Sequence, residues 1–227
     1  MTATRANGKT IALIATTALA ITLALSNAMA KDDAVQCGNL IFAGNNTSRC
    51  FSDEFLAAIQ RQTTIATAKR FKSVKLASKE LFKIPFVIMT GESDFHLRKK
   101  EAENMKLYLE SGGFMLVSAG CSNKDFSNAF KREIKRIFGP KALKPIPLSH
   151  VIFRTVYKIG KLELGHGASD VKPELLGLEI NGKIVLVFSP HGLNDTAHTK
   201  GCCCCGGNEI SNAIKVNVNI LTYALMY

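Results

Sequence analysis

Four consecutive cysteines, followed by two glycines, are the side chains in this sequence best suited to chemistry. Cys202 and Cys205 have the Cys-x-x-Cys spacing of a metal-binding or redox pair, and Cys203 and Cys204 lie between them. Neighbouring side chains diverge, so four adjacent thiolates do not readily bind one ion. The run therefore indicates soft-metal binding, thiol chemistry or structural disulfides, one of which could join neighbouring cysteines.

Cys121 and His191 each follow a continuous apolar run that predicts a buried strand. Ligands of open parallel sheets bind where the strands end, so both residues are expected at the rim of one pocket. With Cys202 and Cys205 they would complete a tetrahedral set of thiolate and imidazole ligands, which suits zinc or copper. Catalysis by a Cys121 thiolate is the alternative use of the same rim.

Glu92, Asp94 and His96 follow a third apolar run, at 84–89, and are expected at the same pocket rim. The N-terminus of a following helix would by itself explain the two carboxylates, because the helix dipole favours negative charge there. His96 is then expected to cap or to pack against the helix.

Cys37 and Cys50 are separated by a stretch that contains the turn signal Gly44-Asn45-Asn46. This spacing suits a disulfide-closed loop, which would stabilise the fold by about 3 kcal/mol in the loop-entropy treatment. Because the chain has seven cysteines, at least one must be a free thiol, bind a metal or pair with another chain.

Residues 1–30 have the three-part pattern of a cleavable signal peptide. Arg5 and Lys9 supply the positive charge, 11–25 is apolar, and 28–30 offers small residues to a signal peptidase. The apolar stretch is shorter than the roughly 20 residues that span a bilayer. The sequence thus predicts a periplasmic or secreted protein without a stable membrane span after cleavage.

The chain carries a net charge of +11, and its lysines and arginines are scattered. No nucleic-acid motif and no aromatic side chains interleaved with the basic clusters are present, so nucleic acid is not an expected partner. Outside the cytosol, an anionic polymer of the cell envelope or a protein surface is the expected counterpart of this charge.

Apolar strand patterns alternate with amphipathic helix patterns over 31–227, which predicts one α/β domain. A layered sandwich with a mostly parallel sheet follows, because continuous apolar runs such as 84–89 and 114–117 are typical of strands buried on both faces. Asp125 is expected to cap a helix over 126–138. A hairpin is predicted around Asn181-Gly182.

The last segment, 216–227, reads as a helix packed on the sheet, although its β-branched residues leave a strand open. Asn217 and Asn219 within it are expected to hydrogen-bond a buried loop. His150 is expected to fix a loop rather than to bind a ligand.

One set of segments covers most of residues 31–227 and is specific when taken together. It consists of 85–91, 94–97, 108–109, 112–114, 116–117, 132–135, 148–153, 189–190, 218–220 and 223–225, with Phe126 and Phe130. On these residues the chain resembles the bacterial family called domain of unknown function 4159. The resemblance implies a class I glutamine-amidotransferase-like fold, which is a flavodoxin-like layered arrangement, and it brings no established reaction. The sequence departs from many relatives at 118–121, where they carry acidic residues, and it adds the four-cysteine run.

Amidotransferases of this fold place a nucleophilic cysteine after one strand and a histidine after a later strand, as Cys121 and His191 occur here. Asp195 or Glu92 would then orient the histidine, and backbone N–H groups would hold the oxyanion. The sequence around Cys121 lacks the Gly-x-Cys-x-Gly elbow, however. A non-enzymatic module that binds an envelope glycan or a protein is therefore the other alternative, and it would not depend on Cys121.

Overall fold

The structure is a computed structural model that describes residues 34–43, 46, 51, 53–165, 172–193 and 209–227. Seven strands within these residues form one sheet in the order β2-β1-β3-β4-β7-β6-β5. The strands are β1 (Cys37–Ile41), β2 (Lys72–Lys75), β3 (Phe86–Gly91), β4 (Phe114–Ala119), β5 (Leu143–Pro145), β6 (Leu176–Ile180) and β7 (Lys183–Ser189).

The first five strands in this order are parallel, whereas β6 and β5 add an antiparallel edge. The central strands β3 and β4 pair from Phe86 opposite Phe114 to Gly91 opposite Ala119. Every residue of β4 is buried, and so is every residue of β3 before Gly91. The continuous apolar runs arise because both faces of these strands are covered.

Four α-helices of the described residues cover the sheet, two on each face. One apolar layer packs α2 and α3 on the sheet, and the other packs α1 and α4. The predicted α/β class with a mostly parallel sheet is confirmed, and Val35–Tyr227 forms one compact unit. The helices are α1 (Glu54–Gln62), α2 (Lys99–Glu110), α3 (Lys124–Phe138) and α4 (Ala213–Met226).

The N-termini of α2 and α3 differ from the sequence-based expectation. Asn123, not Asp125, caps α3: its Oδ1 accepts the N–H of Phe126 at 2.8 Å. The buried Glu101 provides the acidic group in the first turn of α2, and its two oxygens accept the N–H groups of Arg98 and Ala43, each at 2.8 Å. Glu101 therefore ties the start of α2 to the loop after β1.

Cys37 is a free thiol, so the predicted disulfide with Cys50 is wrong. Cys37 pairs with Phe86 in the sheet and is 1% exposed within the apolar layer beneath α1 and α4. Burial raises the pKa of its thiol to about 12. Cys50 lies outside the described residues. A loop spacing alone did not reveal that the Cys37 side chain points into the core.

The hairpin between β6 and β7 is confirmed, with positive φ angles of 52° at Asn181 and 79° at Gly182. The last segment is helical, which settles the choice between helix and strand. No helix among the described residues is long and apolar enough to cross a membrane. The apolar stretch 11–25 of the predicted signal peptide lies outside those residues.

Candidate functional site

The loops after β3 and β4 touch at the carboxyl edge of the sheet. Glu92, just after β3, lies across Gly120, where a Cβ atom would be 2.7 Å from Cγ of Glu92 and 3.1 Å from the carbonyl oxygen of Gly91. Glu92 Oε1 is 4.0 Å from Sγ of Cys121. A residue without a side chain at position 120 is thus what allows the carboxylate to reach the sulfur.

Two serines of β4 and its loop hold the loop after β7. The Oγ of Ser122 accepts the N–H of Gly192 at 3.3 Å, and the buried Oγ of Ser118 accepts the N–H of Leu193 at 2.8 Å. Cys121 and His191 are the immediate neighbours of the Ser122–Gly192 pair. The structure therefore brings together the three loops that the sequence placed at one edge.

The backbone of Cys121 is left-handed, with φ 53° and ψ 29°, and Ser122 also has a φ of 53°. For residues other than glycine this conformation costs of order 1 kcal/mol each. Cys121 is separated by Gly120 from Ala119, the last residue of the buried strand β4, and is half-buried. Such strain is maintained only where the surrounding structure determines it, and it is concentrated at functional sites.

Cys121 is in the disulfide-bonded form. A bonded sulfur has no proton, so its 4.0 Å approach to Glu92 is a van der Waals contact rather than a hydrogen bond. No disulfide joins two described cysteines, because Cys37 is free.

His191 lies in the loop after β7 with its Nδ1 atom buried and without a hydrogen-bond partner. Burial lowers the pKa of its imidazole, so the ring is neutral at neutral pH. The hydroxyl of Ser189 donates to the carbonyl oxygen of His191 and fixes the backbone there. A neutral imidazole can accept a proton or bind a metal ion.

Leu193 and Glu209 are the described residues on either side of segment 194–208, and both lie at the carboxyl edge of the sheet. Gly192 and Glu209 form a parallel bridge, with the N–H of Ile210 donating to the carbonyl oxygen of Gly192 at 2.9 Å. The buried Glu209 side chain covers Gly192, where a Cβ atom would be 2.5 Å from its Oε1. The four cysteines belong to the 194–208 segment, which lies outside the described residues.

Asn217 and Asn219 of α4 both hydrogen-bond loops, as the sequence predicted. Asn217 Nδ2 donates to the carbonyl oxygen of Leu193 at 2.9 Å. Asn219 accepts the N–H groups of Val156 and Tyr157 and donates back to Tyr157. Asn217 thus supports the loop after β7, and Asn219 supports the loop at residues 156–157.

Asp94 and His96 contact α3. Arg132 donates to Asp94 at 3.0 Å, and this hydrogen bond lowers the pKa of Asp94. His96 Nδ1 is 3.5 Å from the buried Glu133 carboxylate. These contacts anchor the loop after β3 to α3, so of the three predicted rim residues on this loop Glu92 is the one in contact with Cys121.

The structure describes only some of the residues that were predicted to bind a metal ion. Cys121 and His191 lie on adjacent loops, whereas Cys202, Cys203, Cys204 and Cys205 fall outside the described ranges. Within those ranges, no group of three His, Cys, Asp or Glu side chains is arranged to hold an ion.

Sequence reasoning missed the hydroxyl groups that end the central strands. Thr90, Ser118 and Ser189 are adjacent in register across β3, β4 and β7, and all three are fully buried. The available signal was that each apolar run ends on a small hydroxyl residue. These groups form a polar layer beneath the edge loops.

An open sheet with five parallel strands, helices on both faces and a polar carboxyl edge defines a doubly wound α/β protein. The family described as Domain of unknown function (DUF4159) matches residues 44–225, and the chain belongs to this family. The resemblance drawn from the sequence is therefore confirmed. A comparison with the curated proteins found no match.

Proposed function

We propose that this is an exported, periplasmic or secreted, α/β protein whose sheet edge performs thiol–disulfide chemistry at Cys121. The single observation that carries the proposal is the state of Cys121: a disulfide-bonded, half-buried cysteine held in left-handed backbone at the end of a buried parallel strand. An exported location agrees with this chemistry, because disulfides persist outside the reducing cytosol.

The four-cysteine run is the proposed partner of Cys121. Its segment is anchored at both ends beside the Cys121 loop, since Ser122 holds Gly192 and Gly192 pairs with Glu209. Two nearby anchors give the intervening thiols a high effective concentration at the edge. Cys37 does not compete, because it is buried and its thiol is protonated.

The exchange involves two external thiols. One external thiolate attacks the partner sulfur and bonds to it, while the bond to Cys121 breaks and Cys121 leaves with the electron pair. The Cys121 thiolate takes a proton from water. A second external thiolate then releases the first as a disulfide, so two thiols are oxidised and the protein gains two thiols. His191 on the adjacent loop is the proposed base for the reverse step, since burial keeps its imidazole neutral.

The reduced site is also the proposed soft-metal site. Thiolates of the run and of Cys121, with the imidazole of His191, are the ligand types that zinc or copper prefers. Cys202 and Cys205 have the spacing of a chelating pair. Metal binding would compete with disulfide closure, because both require the same deprotonated sulfurs.

A flavodoxin-like fold of the amidotransferase type is supported by strand order. The parallel strands run β2-β1-β3-β4-β7, which corresponds to the order 2-1-3-4-5 of flavodoxin-like sheets. A cysteine nucleophile at Cys121 is accordingly the second candidate. The left-handed backbone directly after β4 favours it, because strained strand-to-helix turns present nucleophiles in other hydrolases.

The test is a redox titration of protein purified from the periplasm. Samples equilibrated with a series of thiol–disulfide buffers are quenched with an alkylating reagent, and each cysteine peptide is quantified by mass spectrometry. We expect Cys121 and one cysteine of the run to be reduced together in a two-electron transition. Metal content is measured on the same reduced samples, with zinc or copper expected at one per chain.

Cys121→Ser is the informative variant, and Cys37→Ala is its control. The first should leave one thiol of the run unpaired, whereas the second should leave the transition unchanged. If Cys121 stays a thiol throughout and Cys121→Ser changes neither the run nor the metal content, the proposal fails. A reduced Cys121 that an acylating or amide-directed probe labels selectively would favour the nucleophile instead.

A further inference from the structure

We infer that the outer face of α3 is a docking surface for a linear polymer that carries repeating phosphate groups. The surface is a stripe of three exposed lysines and one exposed asparagine, which faces away from the apolar layer that α3 covers. The inference concerns binding alone and does not rest on the thiol chemistry of Cys121. The residues of the lysine stripe are Lys124, Asn128, Lys131 and Lys135.

The lysine stripe follows from helical geometry. Its members are spaced by four, three and four residues, so their side chains lie one above another on a single face of the helix. At a rise of about 1.5 Å per residue, the stripe is about 16 Å long. It begins at Lys124, directly after the Asn123 cap, and therefore runs down from the polar edge of the sheet.

The two exposed arginines of α3 have internal partners, whereas the lysines do not. Arg132 donates to Asp94 at 3.0 Å. Arg136 donates to the buried Glu133 at 3.0 Å and to the carbonyl oxygen of Leu97 at 3.3 Å. Among the described residues, no acidic side chain forms an ion pair with any lysine of the stripe.

The stability of α3 does not account for the lysine stripe. Positive charge is favourable in the last turn of a helix, which explains Lys135, but it is unfavourable at the first position, where Lys124 lies. Lys131 and Lys135 are four residues apart, and like charges at this spacing destabilise a helix. The stripe therefore concentrates positive charge against the preference of the helix itself, as expected of a surface that meets an anion.

The free charges of this surface are ammonium groups, which determines the chemistry of the partner. Planar carboxylates are bound best by the paired N–H groups of arginine, but Arg132 and Arg136 are already occupied. An ammonium group binds phosphate as a point charge with three donors, so it requires no single orientation of the anion. A row of such groups fits an anion with repeating charges.

Protein and nucleic-acid partners fit the lysine stripe less well. Protein interfaces are centred on aromatic or arginine anchors and are poor in lysine, and no apolar residue of α3 is exposed. Single-stranded nucleic acid stacks its bases on aromatic side chains, but Phe126, Phe130 and Phe138 all pack in the apolar layer. A phosphate polymer without bases needs neither feature.

The test is a calorimetric titration of the purified protein with long-chain inorganic polyphosphate at several salt concentrations. The double variant Lys131→Gln with Lys135→Gln should bind about tenfold more weakly at low salt. Each lost phosphate contact should also make the dependence of log K on log salt less steep, by about 0.7 per lysine. Tripolyphosphate, which is shorter than the stripe, should bind more weakly than the polymer.

Two control variants separate the position of the charge from its amount. Lys69→Gln with Arg70→Gln removes two exposed cations just before β2, the edge strand that lies three strands from β4. It should change the affinity by less than about twofold, because salt screens charges at that distance. Lys131→Arg with Lys135→Arg keeps the charge and should bind as the natural chain does. Circular dichroism checks that each variant is folded.

An equal loss of affinity in the Lys69→Gln, Arg70→Gln variant would overturn the inference, because binding would then follow net charge alone. So would a natural chain that does not bind polyphosphate at about 0.15 M salt. Tighter binding of single-stranded DNA, or of phosphatidylglycerol–phosphatidylcholine vesicles, at equal phosphate concentration would reject the polymer as the partner. Cys121→Ser should bind polyphosphate normally, so this test is separate from that of the thiol chemistry.

Discussion

Cys37 and Cys121 occupy opposite chemical environments in one sheet. Cys37 is the first residue of β1 and lies in the apolar layer, where burial raises the pKa of its thiol to about 12. Cys121 lies beyond the end of β4, half-buried, beside the carboxylate of Glu92 and next to the loop of His191. The two cysteines therefore differ by where each falls along a strand, and not by local composition.

The comparison shows how this fold separates buried side chains from side chains at its polar edge. Side chains within the central strands are covered on both faces, so a thiol there behaves as a small apolar group. The carboxyl edge is where backbone conformation becomes irregular and where polar loops meet.

The largest expected difference is in the rate of alkylation. In reduced, folded protein near pH 8, Cys37 should react at least about a thousandfold more slowly than Cys121, because burial both excludes reagent and keeps the thiol protonated. Quantifying the separate tryptic peptides 32–49 and 107–124 measures both rates. If Cys37 and Cys121 were alkylated at comparable rates in the absence of denaturant, the proposed difference between their environments would be wrong.

A smaller difference is expected in stability. Cys37→Ser places an unpaired hydroxyl in the apolar layer and should lower the free energy of unfolding by about 1–3 kcal/mol. Cys121→Ser in reducing buffer should change it by less than about 0.5 kcal/mol, since the site is at the surface. Urea unfolding measures both, and Cys37→Ala, which adds no hydroxyl, serves as the control for the lost sulfur. A large decrease in the free energy of unfolding of Cys121→Ser would contradict the placement of Cys121 at the surface.

The smallest expected effect concerns His191 and pH. Burial lowers its pKa in the folded state, so the unfolded chain binds the proton more readily. The contribution of His191 to stability is complete above the unfolded pKa of about 6.5 and is lost as the pH falls toward the folded pKa. When the pH falls from 7.5 to 5, the free energy of unfolding should decrease less in His191→Gln than in the natural chain. The difference between the two decreases should be under about 1 kcal/mol, and the Glu and Asp side chains contribute equally to both.

The pKa of His150 is also lowered by burial, but this residue is present in both proteins, so the difference between them isolates His191. Urea midpoints at several pH values provide the measurement. A variant that loses as much stability as the natural chain would show that burial does not disfavour the protonated form of His191.

The sequence predicted the elements whose pattern is strong. The buried runs at 84–89 and 114–117 correspond to β3 and β4, and the amphipathic patterns correspond to α2 and α3. The role of Asn217 was also predictable, because a polar residue in an apolar helix needs a buried partner. Periodicity and polarity are local properties of the sequence, so they can be recognised without knowledge of the fold.

Errors arose where a contact distant in sequence decides the outcome. Cys37 was assigned a disulfide from spacing, but its direction into the core is set by pairing with β3. Glu92 was expected at the pocket rim or at a helix terminus, and the sequence did not reveal that it packs against Gly120 on the loop of the neighbouring strand. The short strand β5 has too few residues to show a pattern, and its pairing with β6 defines it.

Disulfide mapping of the unreduced protein tests the central claim most directly. Tryptic digestion without reductant places Cys121 in peptide 107–124, Cys50 in peptide 50–61 and the four-cysteine run in peptide 201–215. The account predicts that peptide 107–124 is linked to peptide 201–215. Recovery of peptide 107–124 as a free thiol, or linked to peptide 50–61, would contradict it.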